Sequence, residues 1–429
     1  MTTKEQAVMS TTTQTASPFR WEPVESADGF DGWLLRAVAT RIEPATVRLA
    51  LGFASARASA DPPVATIRFR DRKTLLALVL DPVGRFGDAF AAGRVEVEGD
   101  LVAALDSVYR ALESKPRSFS PGKLLRYVPH TPDRDRDNVH HHYDLGNEFY
   151  RLWLDGELVY TCAYFESPEQ SLEQAQFAKM ELVCRKLGLR PGETVVEAGC
   201  GWGALSLHMA RHHGVQVRAY NISHEQIRWA RDRARREGLS DRVEFLEADY
   251  REIEGRCDVF VSVGMLEHVG RANYPGLGKA IARTLDHEHG RGLLHFIGRD
   301  RPHPLDPWIR RRIFPGAYAP SLDEATSGVL APARMSVLDV ENLRPHYALT
   351  LKHWRERYER AIADGRVPFD EQFRRTWKLY LAGSEASFRT GWLQLFQVVF
   401  APSGSSAAPW TRAPLYRSKK GLKWNGPTS

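Results

Sequence analysis

The chain is predicted to fold as an α/β protein, with a mostly parallel sheet covered by helices on both faces and a smaller α+β domain ahead of it. Three observations predict this. From residue 190 onward, short apolar runs alternate with helical patterns, the order that parallel sheets require. The first of those runs ends in a turn with three glycines in five residues and passes directly into a helical pattern. Upstream, residues 114–139 are rich in Pro, Ser and charge, and separate this pattern from a different one.

At 429 residues the chain is long for one domain and short for three. Residues 1–18 read as a disordered polar tail. Residues 19–113 form the small unit, with "VATIRFRD" (64–71) alternating like a strand and "TLLALVL" (74–80) a short buried run. "GRFGDAFAAGRVEVEGDLVAALDSVYRAL" then mixes Gly-punctuated turns, a strand and a helix. Residues 114–139 are the linker, 140–402 the larger domain and 403–429 a polar tail.

In the larger domain, "SPEQSLEQAQFAKMELVCRKLGLRPG" reads as a helix. Ser167 and Gln170 make a capping box, Pro168 takes the first helical position and Gly188 ends it. Strands are expected at 194–199, 215–222, 243–249, 257–264 and 292–298. Helices are expected at 203–213, from Ser223 to Gly238 with Ser223 and Gln226 a second capping box, and near 274–285. After an irregular stretch (299–334) come "MSVLDVENL", helices around 346–361 and 370–390, and a strand at 393–400.

Composition narrows the function. The net charge is +6 and the pI is near 9.1, a mild excess that suits anionic lipid as well as an ordinary solvated surface. It is too small for a convincing nucleic-acid face, and no N-P-P-Y-type motif occurs, so nucleic acid is not an expected partner. The four cysteines, Cys162, Cys184, Cys200 and Cys257, form no C-x-x-C pair, so neither a disulfide framework nor a metal site is expected. A reducing cytoplasm follows. "MTTKEQAVMSTTTQTASP" has no apolar segment of the secretory kind, and no run of about 18 apolar residues occurs. A lipid substrate would then be met at the membrane surface.

The glycine turn carries the cofactor reading. The strand ends at Glu197, followed by Gly199-Cys200-Gly201-Trp202-Gly203 and a helix. Such glycines let the backbone approach a ligand and free the helix N-terminus to face it. A dinucleotide would want G-x-G-x-x-G/A, which Gly199, Gly201 and Ala204 match, and a carboxylate about 20 residues on. That segment is Arg218-Ala219-Tyr220-Asn221, without one. The G-x-G-x-G turn used for S-adenosylmethionine wants an acid two residues before the first Gly. Glu197 fits, and so does Asp249 at the end of the third strand.

"HHYDLGNEFYRLWLDGELVYTCAYF", "VEAGCGWG", "GMLEHVG", "HFIG", "RRRIFPG" and "HYALTLKHWRERYE" together resemble the cyclopropane-fatty-acyl-phospholipid synthases, relatives of the mycolic acid cyclopropane synthases. The resemblance covers about 137–400, in the family's order. It implies a class I methyltransferase fold, Rossmann-like with seven mostly parallel strands. "FGDAFAAGRVEVEGDL" looks like the sterol-carrier-like domain these synthases often carry. That unit would present or sense lipid, or support a homodimer.

By motif, the resemblance implies a bicarbonate pocket built from Cys162, Glu267, His295, the backbone of Ile297 and Tyr347. It implies S-adenosylmethionine contacts at Tyr160, Thr161, Glu197, Gly199, Gly201, Asn221, Ile222, Gln226, Asp249 and Tyr250, beside Cys200, Trp202 and Gly203 of the turn. Asn221 departs from the Thr or Ser more usual in the family. An amide still bonds a ribose hydroxyl.

The residues suit the chemistry. An alkene is a poor nucleophile and needs the methyl donor in line within a dry pocket. Methyl transfer leaves a carbocation, and a small bound base is suited to take a proton so that a ring closes. His295, Tyr347 and a backbone N–H can donate to such an anion, and Glu267 can accept its proton. Tyr164, Phe165, Trp202 and Tyr318 are aromatic candidates for facing the cation, each more readily read as core. Cys162 reads as a wall rather than a nucleophile, since a thiolate beside a carbocation would be alkylated.

The expected activity is cyclopropanation of cis double bonds in unsaturated phospholipid, from the cytoplasm and peripheral to the inner membrane surface. "PWIRRRIFPGAY" (307–318) mixes apolar and basic side chains, which reads equally as an interfacial anchor or as a solvated basic loop over the active site. Two rivals stay open: a relative that resolves the cation into a methyl- or methylene-branched chain, and a non-enzymatic lipid-transfer protein.

Overall fold

The computed structural model describes residues 29–114 and 145–416. The tail expected at 1–18, the linker beyond Ser114 and the end of the C-terminal tail lie outside them.

Residues 29–113 build a four-stranded sheet, β1 (Val47–Leu51), β2 (Ala54–Arg57), β3 (Ala65–Phe69) and β4 (Val95–Gly99), in the order β2-β1-β3-β4. β1 and β3 run parallel and the other pairs antiparallel. Helices Gly29–Ile42, Arg72–Leu80, Pro82–Ala91 and Leu101–Glu113 accompany it. The strand alternates as its sequence predicts, with Ala65, Ile67 and Phe69 buried. The run "TLLALVL" is a helix rather than a wholly buried segment. Asp71 caps its N-terminus by accepting from Thr74 N at 2.7 Å, and the helical period turns Leu76 and Leu80 outward.

The larger sheet holds β5 (Thr194–Ala198), β6 (Gln216–Asn221), β7 (Val243–Glu247), β8 (Val259–Val263), β9 (Arg291–Gly298), β10 (Met335–Asn342) and β11 (Gln394–Pro402). Its order is β10-β11-β9-β8-β5-β6-β7, with β11 antiparallel to both neighbours. Successive residues feed two cores: Val195, Val259 and Leu293 face helices Leu172–Leu187, Ala204–His213 and His224–Arg236. Val196, Phe260 and Leu294 face helix Tyr274–Thr284. Burial on both faces explains why these strands read as continuous apolar runs. A third, aromatic core joins residues 149–165 to helices Arg344–Ala363 and Glu371–Thr390 through Phe149, Trp153, Trp354 and Trp377.

Two caps differ from expectation. Helix Leu172–Leu187 starts four residues later, with Ser171 and Gln174 as its capping box, while Gly188 ends it in the left-handed conformation. Gln170 is occupied by Glu166 N at 2.7 Å and Ser167 by Glu169, so that segment stays a turn. Ser223 accepts from Gln226 N at 3.4 Å, but the Gln226 side chain turns to Asn221 instead of back to Ser223.

The two domains are clamped together. Helix Glu371–Thr390 packs on Leu101–Glu113 and Pro82–Ala91. From it, Arg375 donates to Phe90 O at 2.6 Å and Val95 O at 2.9 Å, and pairs with Glu96 at 3.0 Å. Arg312 pairs with Asp88 at 2.9 Å, and Arg311 donates to Gly84 O at 2.6 Å. The "PWIRRRIFPGAY" stretch therefore straps the small domain to the large one. Trp308 and Ile313, expected at a lipid surface, are buried.

Candidate active site

The sheet order reverses between β5 and β8, and in open α/β sheets ligands bind at such a switch point, beyond the carboxyl ends of the strands. Here β5 ends in the glycine turn and β8 in Gly264-Met265 followed by the short helix Leu266–Val269. Between these ends lies a cavity.

Tyr160, Thr161, Glu197, Gly199, Cys200 and Gly201 line it, together with Trp202, Asn221, Ile222, Gln226, Asp249 and Tyr250. Of the cofactor residues inferred from sequence, only Gly203 stands back. Its φ is +83°, and a Cβ there would lie 2.6 Å from the Phe245 ring, so it seats the helix rather than touching a ligand.

The polar groups of this cavity are tightly held. Glu197 is buried and accepts the Ser206 hydroxyl from the first turn of the next helix. Burial lifts its pKa to about 7, tempered by Ser206 and Lys179. Asn221 donates to Gln226 Oε1 at 2.7 Å and to Gly201 O at 3.3 Å. Asp249 accepts Arg251 N at 2.9 Å and pairs with its guanidinium at 2.8 Å. The Trp202 indole donates to Asn147 Oδ1 at 2.7 Å. A buried carboxyl on a glycine turn, with a second acid at the far end, fits S-adenosylmethionine, which carries a sulfonium and an ammonium.

A second, largely apolar cavity adjoins the first and contains Glu267, Ile297 and Tyr347. The two cavities share Tyr160, Thr161, Gly264 and His268. At that wall Gly264 has φ +75°, and a Cβ there would lie 2.8 Å from Thr161 Cγ2. Only glycine allows so close an approach between the two chain segments.

Glu267 accepts Ile297 N at 2.5 Å, and its Oε2 is buried without a hydrogen-bond partner. Burial lifts its pKa to about 7, opposed by the Ile297 N–H. Tyr347 is buried against Phe388 and Trp354. His295 and Cys162 do not line either cavity. His295 lies two residues deeper than Ile297 on β9, its Nδ1 paired with Gln397 Nε2 at 3.0 Å and its Nε2 buried without a partner. Burial, with Lys179 and Lys186 nearby, holds its pKa well below the usual range, so it is neutral. Cys162 is wholly buried beneath Thr161, its thiol toward Ala163 O at 3.1 Å and its pKa pushed far up by burial.

Among the aromatic candidates, Trp202 lines the first cavity. Tyr164 stacks on His346 and Phe165 on His353, and Tyr318 donates to Glu324 at 2.8 Å.

The structure adds residues that sequence reading missed. Lys179, buried on helix Leu172–Leu187, lines the first cavity and donates to Thr161 Oγ1 at 3.1 Å. Burial lowers its pKa to about 8, partly offset by Asp155 and Glu197. The one sequence signal was a lysine among buried neighbours on that helix, Ala175, Ala178 and Leu182. Tyr380 pairs its hydroxyl with that of Tyr160 at 2.7 Å across 220 residues of chain, which no local pattern signals. Outside both cavities, the Cys184, His208 and His213 donor atoms cluster within 4.8 Å. Glu181 already accepts from the two imidazoles at 2.7 and 3.0 Å, which ties their helices together.

The chain as a whole is similar to known proteins. A family model described as mycolic acid cyclopropane synthetase matches residues 130–398. A probable fatty acid methyltransferase of Pseudomonas putida is 36% identical, over 83% of this chain and 92% of its own length. The cyclopropane-fatty-acyl-phospholipid synthase of Escherichia coli is 39% identical, over 61% of this chain and 66% of its own length. Among solved structures, mycolic acid cyclopropane synthase CmaA1 complexed with SAH and CTAB superposes with a TM-score of 0.58 at 30% identity. It covers 64% of this chain and 99% of that one.

Proposed function

As a member of the mycolic acid cyclopropane synthetase family, this chain is an S-adenosylmethionine-dependent methyltransferase, and we propose that it converts cis double bonds of phospholipid acyl chains into cyclopropane rings. The observation that carries this reading is the meeting of two cavities at Tyr160, Thr161, Gly264 and His268, one lined by the acids Glu197 and Asp249, the other largely apolar and holding the buried carboxyl of Glu267. A lipid chain in the second cavity presents its double bond to the wall behind which the cofactor lies.

S-adenosylmethionine supplies an electrophilic methyl group. Glu197 and Asp249 would hold its two ends, and the Gly199–Gly203 turn lets the backbone close on it. The apolar walls exclude water, which would otherwise capture a carbocation. Glu267, with Oε2 unpartnered and a pKa near 7, is the group placed to hold or accept the proton that ring closure releases. Bicarbonate would be held there by Glu267, the Ile297 segment and Tyr347, supplying a small diffusible base. Neutral His295 and the Cys162 thiol support that wall from behind.

A second reading follows from the Pseudomonas relative's description as a fatty acid methyltransferase: the same cation resolved to a methyl or methylene branch. Vesicles of unsaturated phospholipid incubated with the protein and S-adenosylmethionine separate the two. A gain of one methylene with cyclopropane proton resonances supports ring closure. Branched-methyl or vinylidene resonances select the second reading. The enzyme is proposed to meet its lipid at the cytoplasmic membrane surface; no helix among the described residues is long and apolar enough to cross a bilayer.

A further inference from the structure

The apolar cavity does not end in the catalytic domain. From Glu267 and Tyr347 it passes between Trp308, Gly383 and Trp392 at the domain seam. It continues inside the small domain beneath Val38, Ile42 and Leu78, over Leu49, Ile67 and Val97 of the small sheet. Its volume, about 360 Å³, is of the size of ligand sites rather than packing defects. Protein cores close-pack, and voids larger than water are few. A domain of fewer than ninety residues that keeps its sheet and helices apart has a reason to do so.

The outside of the same helices is apolar as well. On helix Gly29–Ile42, Phe30 and Trp33 are each 56% exposed and stack on one another. On helix Arg72–Leu80, Leu80 is 84% exposed. The two helices lie side by side: Asp31 pairs with Arg72 at 2.6 Å near their starts, and Arg41 bonds Val79 O near their ends. Their inner faces line the cavity, Arg41 among the lining, and the charges of the two helices and their ends are of both signs, Asp31, Glu43, Asp71 and Asp81 beside Arg36, Arg41, Arg72 and Lys73. Exposed aromatic and aliphatic side chains on the outer side of helices whose inner side lines an apolar cavity are the composition of a surface that settles on a bilayer.

Resting on the reading of the substrate above, we infer that the small domain docks on the bilayer through Phe30, Trp33 and Leu80 and conducts the acyl chain to the reacting centre. The segment between the ester and the double bond then lies inside the small domain, and the double bond lies at the wall of Tyr160 and Thr161.

The test compares the full chain with a Trp33→Glu/Leu80→Glu variant, whose substituted side chains are exposed and leave the core unaltered. On vesicles of phosphatidylglycerol and phosphatidylethanolamine with octadecenoyl chains, flotation and turnover are expected to fall by about tenfold or more. Turnover on the same lipid dispersed in detergent is expected to match the parent. Parent-like flotation, or equal loss in detergent, overturns the docking surface. A Gly383→Leu variant addresses the passage, since a Cβ there meets only the Tyr109 hydroxyl, at 3.4 Å. Activity is expected to fall several-fold more on octadecenoyl than on shorter chains, and equal loss on all lengths overturns the route. Finally, octadecenoyl phosphatidylglycerol carrying a diazirine between ester and double bond is expected to label residues 29–113. Labelling confined to 145–416 overturns the proposal. This readout needs no turnover, so labelled protein that forms no ring would sink the proposed reaction and leave the route standing.

Discussion

Glu267 spends one carboxylate oxygen on the backbone N–H of Ile297, at 2.5 Å, and keeps the other buried in the apolar cavity. The first bond fixes the side chain across the gap between the helix after β8 and β9, while the second oxygen is left for substrate chemistry. Glu267→Gln preserves an acceptor for Ile297 and removes the basic oxygen. We expect kcat to fall by about 10²–10⁴ with cofactor affinity unchanged within a factor of about two. In the parent, kcat/KM should rise as pH passes through about 7, where Glu267 ionises, and the Gln variant should lose that limb. Parent-like turnover in Glu267→Gln would remove this residue from the reaction.

Glu197 ties cofactor binding to pH. Its carboxyl titrates near 7 because it is buried, whereas a cationic cofactor favours the ionised form. The cofactor should therefore displace a proton. Its affinity should be full above pH 7 and weaken as pH falls, approaching tenfold per unit, about 1.4 kcal/mol. Isothermal titration in buffers of different ionisation enthalpy counts the proton. Glu197→Gln should bind more weakly and with little pH dependence between about 5 and 8.

Cys162 is predicted to matter by position. Its thiol is wholly buried, and burial pushes its pKa far above the reactive range, so disulfide reagents should leave Cys162 unmodified in the native protein. Cys162→Ser places a hydroxyl in the same apolar niche. We expect a stability loss of about 1–2 kcal/mol in denaturant titration, with most of the turnover per folded molecule retained. A fall in turnover as large as that of Glu267→Gln would show that the thiol itself takes part.

Gly264→Ala should strike the wall between the cavities. Both its left-handed φ of +75° and the 2.8 Å approach of a Cβ to Thr161 Cγ2 oppose the methyl group. We expect a loss of about 1–3 kcal/mol in stability and a larger proportional fall in kcat than in cofactor affinity. Restored activity in Gly264→Ala/Thr161→Ser, which removes the opposing methyl, would assign the effect to that contact.

Much of the fold was legible because its signals are local. β5 to β9 announce themselves by short apolar runs, β5, β8 and β9 also by the glycines that end them, and the glycine turn with Glu197 marks the first cavity by spacing alone. The first capping box was misplaced because Ser167/Gln170 and Ser171/Gln174 share one spacing. Only the bond from Glu166 N to Gln170 decides between them. The apolar residues around Trp308 looked like a membrane anchor because the sequence does not show that the small domain covers them. Sequence motif grouped Cys162 and His295 with Glu267. The folded chain leaves both out of the cavity lining, Cys162 by the way its side chain turns beneath Thr161 and His295 by how deep it sits along β9. Tyr380 and Lys179 were invisible in their roles because both act through long-range contacts with Tyr160 and Thr161.

The two cavities touch only along Tyr160, Thr161, Gly264 and His268, and each has its own set of lining residues elsewhere. In the proposed reaction each ligand keeps its own compartment on its own side of that wall. Turnover then needs no compulsory sequence of addition. The spent cofactor should inhibit competitively against S-adenosylmethionine and non-competitively against lipid, and a bound acyl chain can remain in place while the nucleoside is exchanged. A phospholipid with more than one double bond along a chain could thus be processed in successive rounds without leaving the protein.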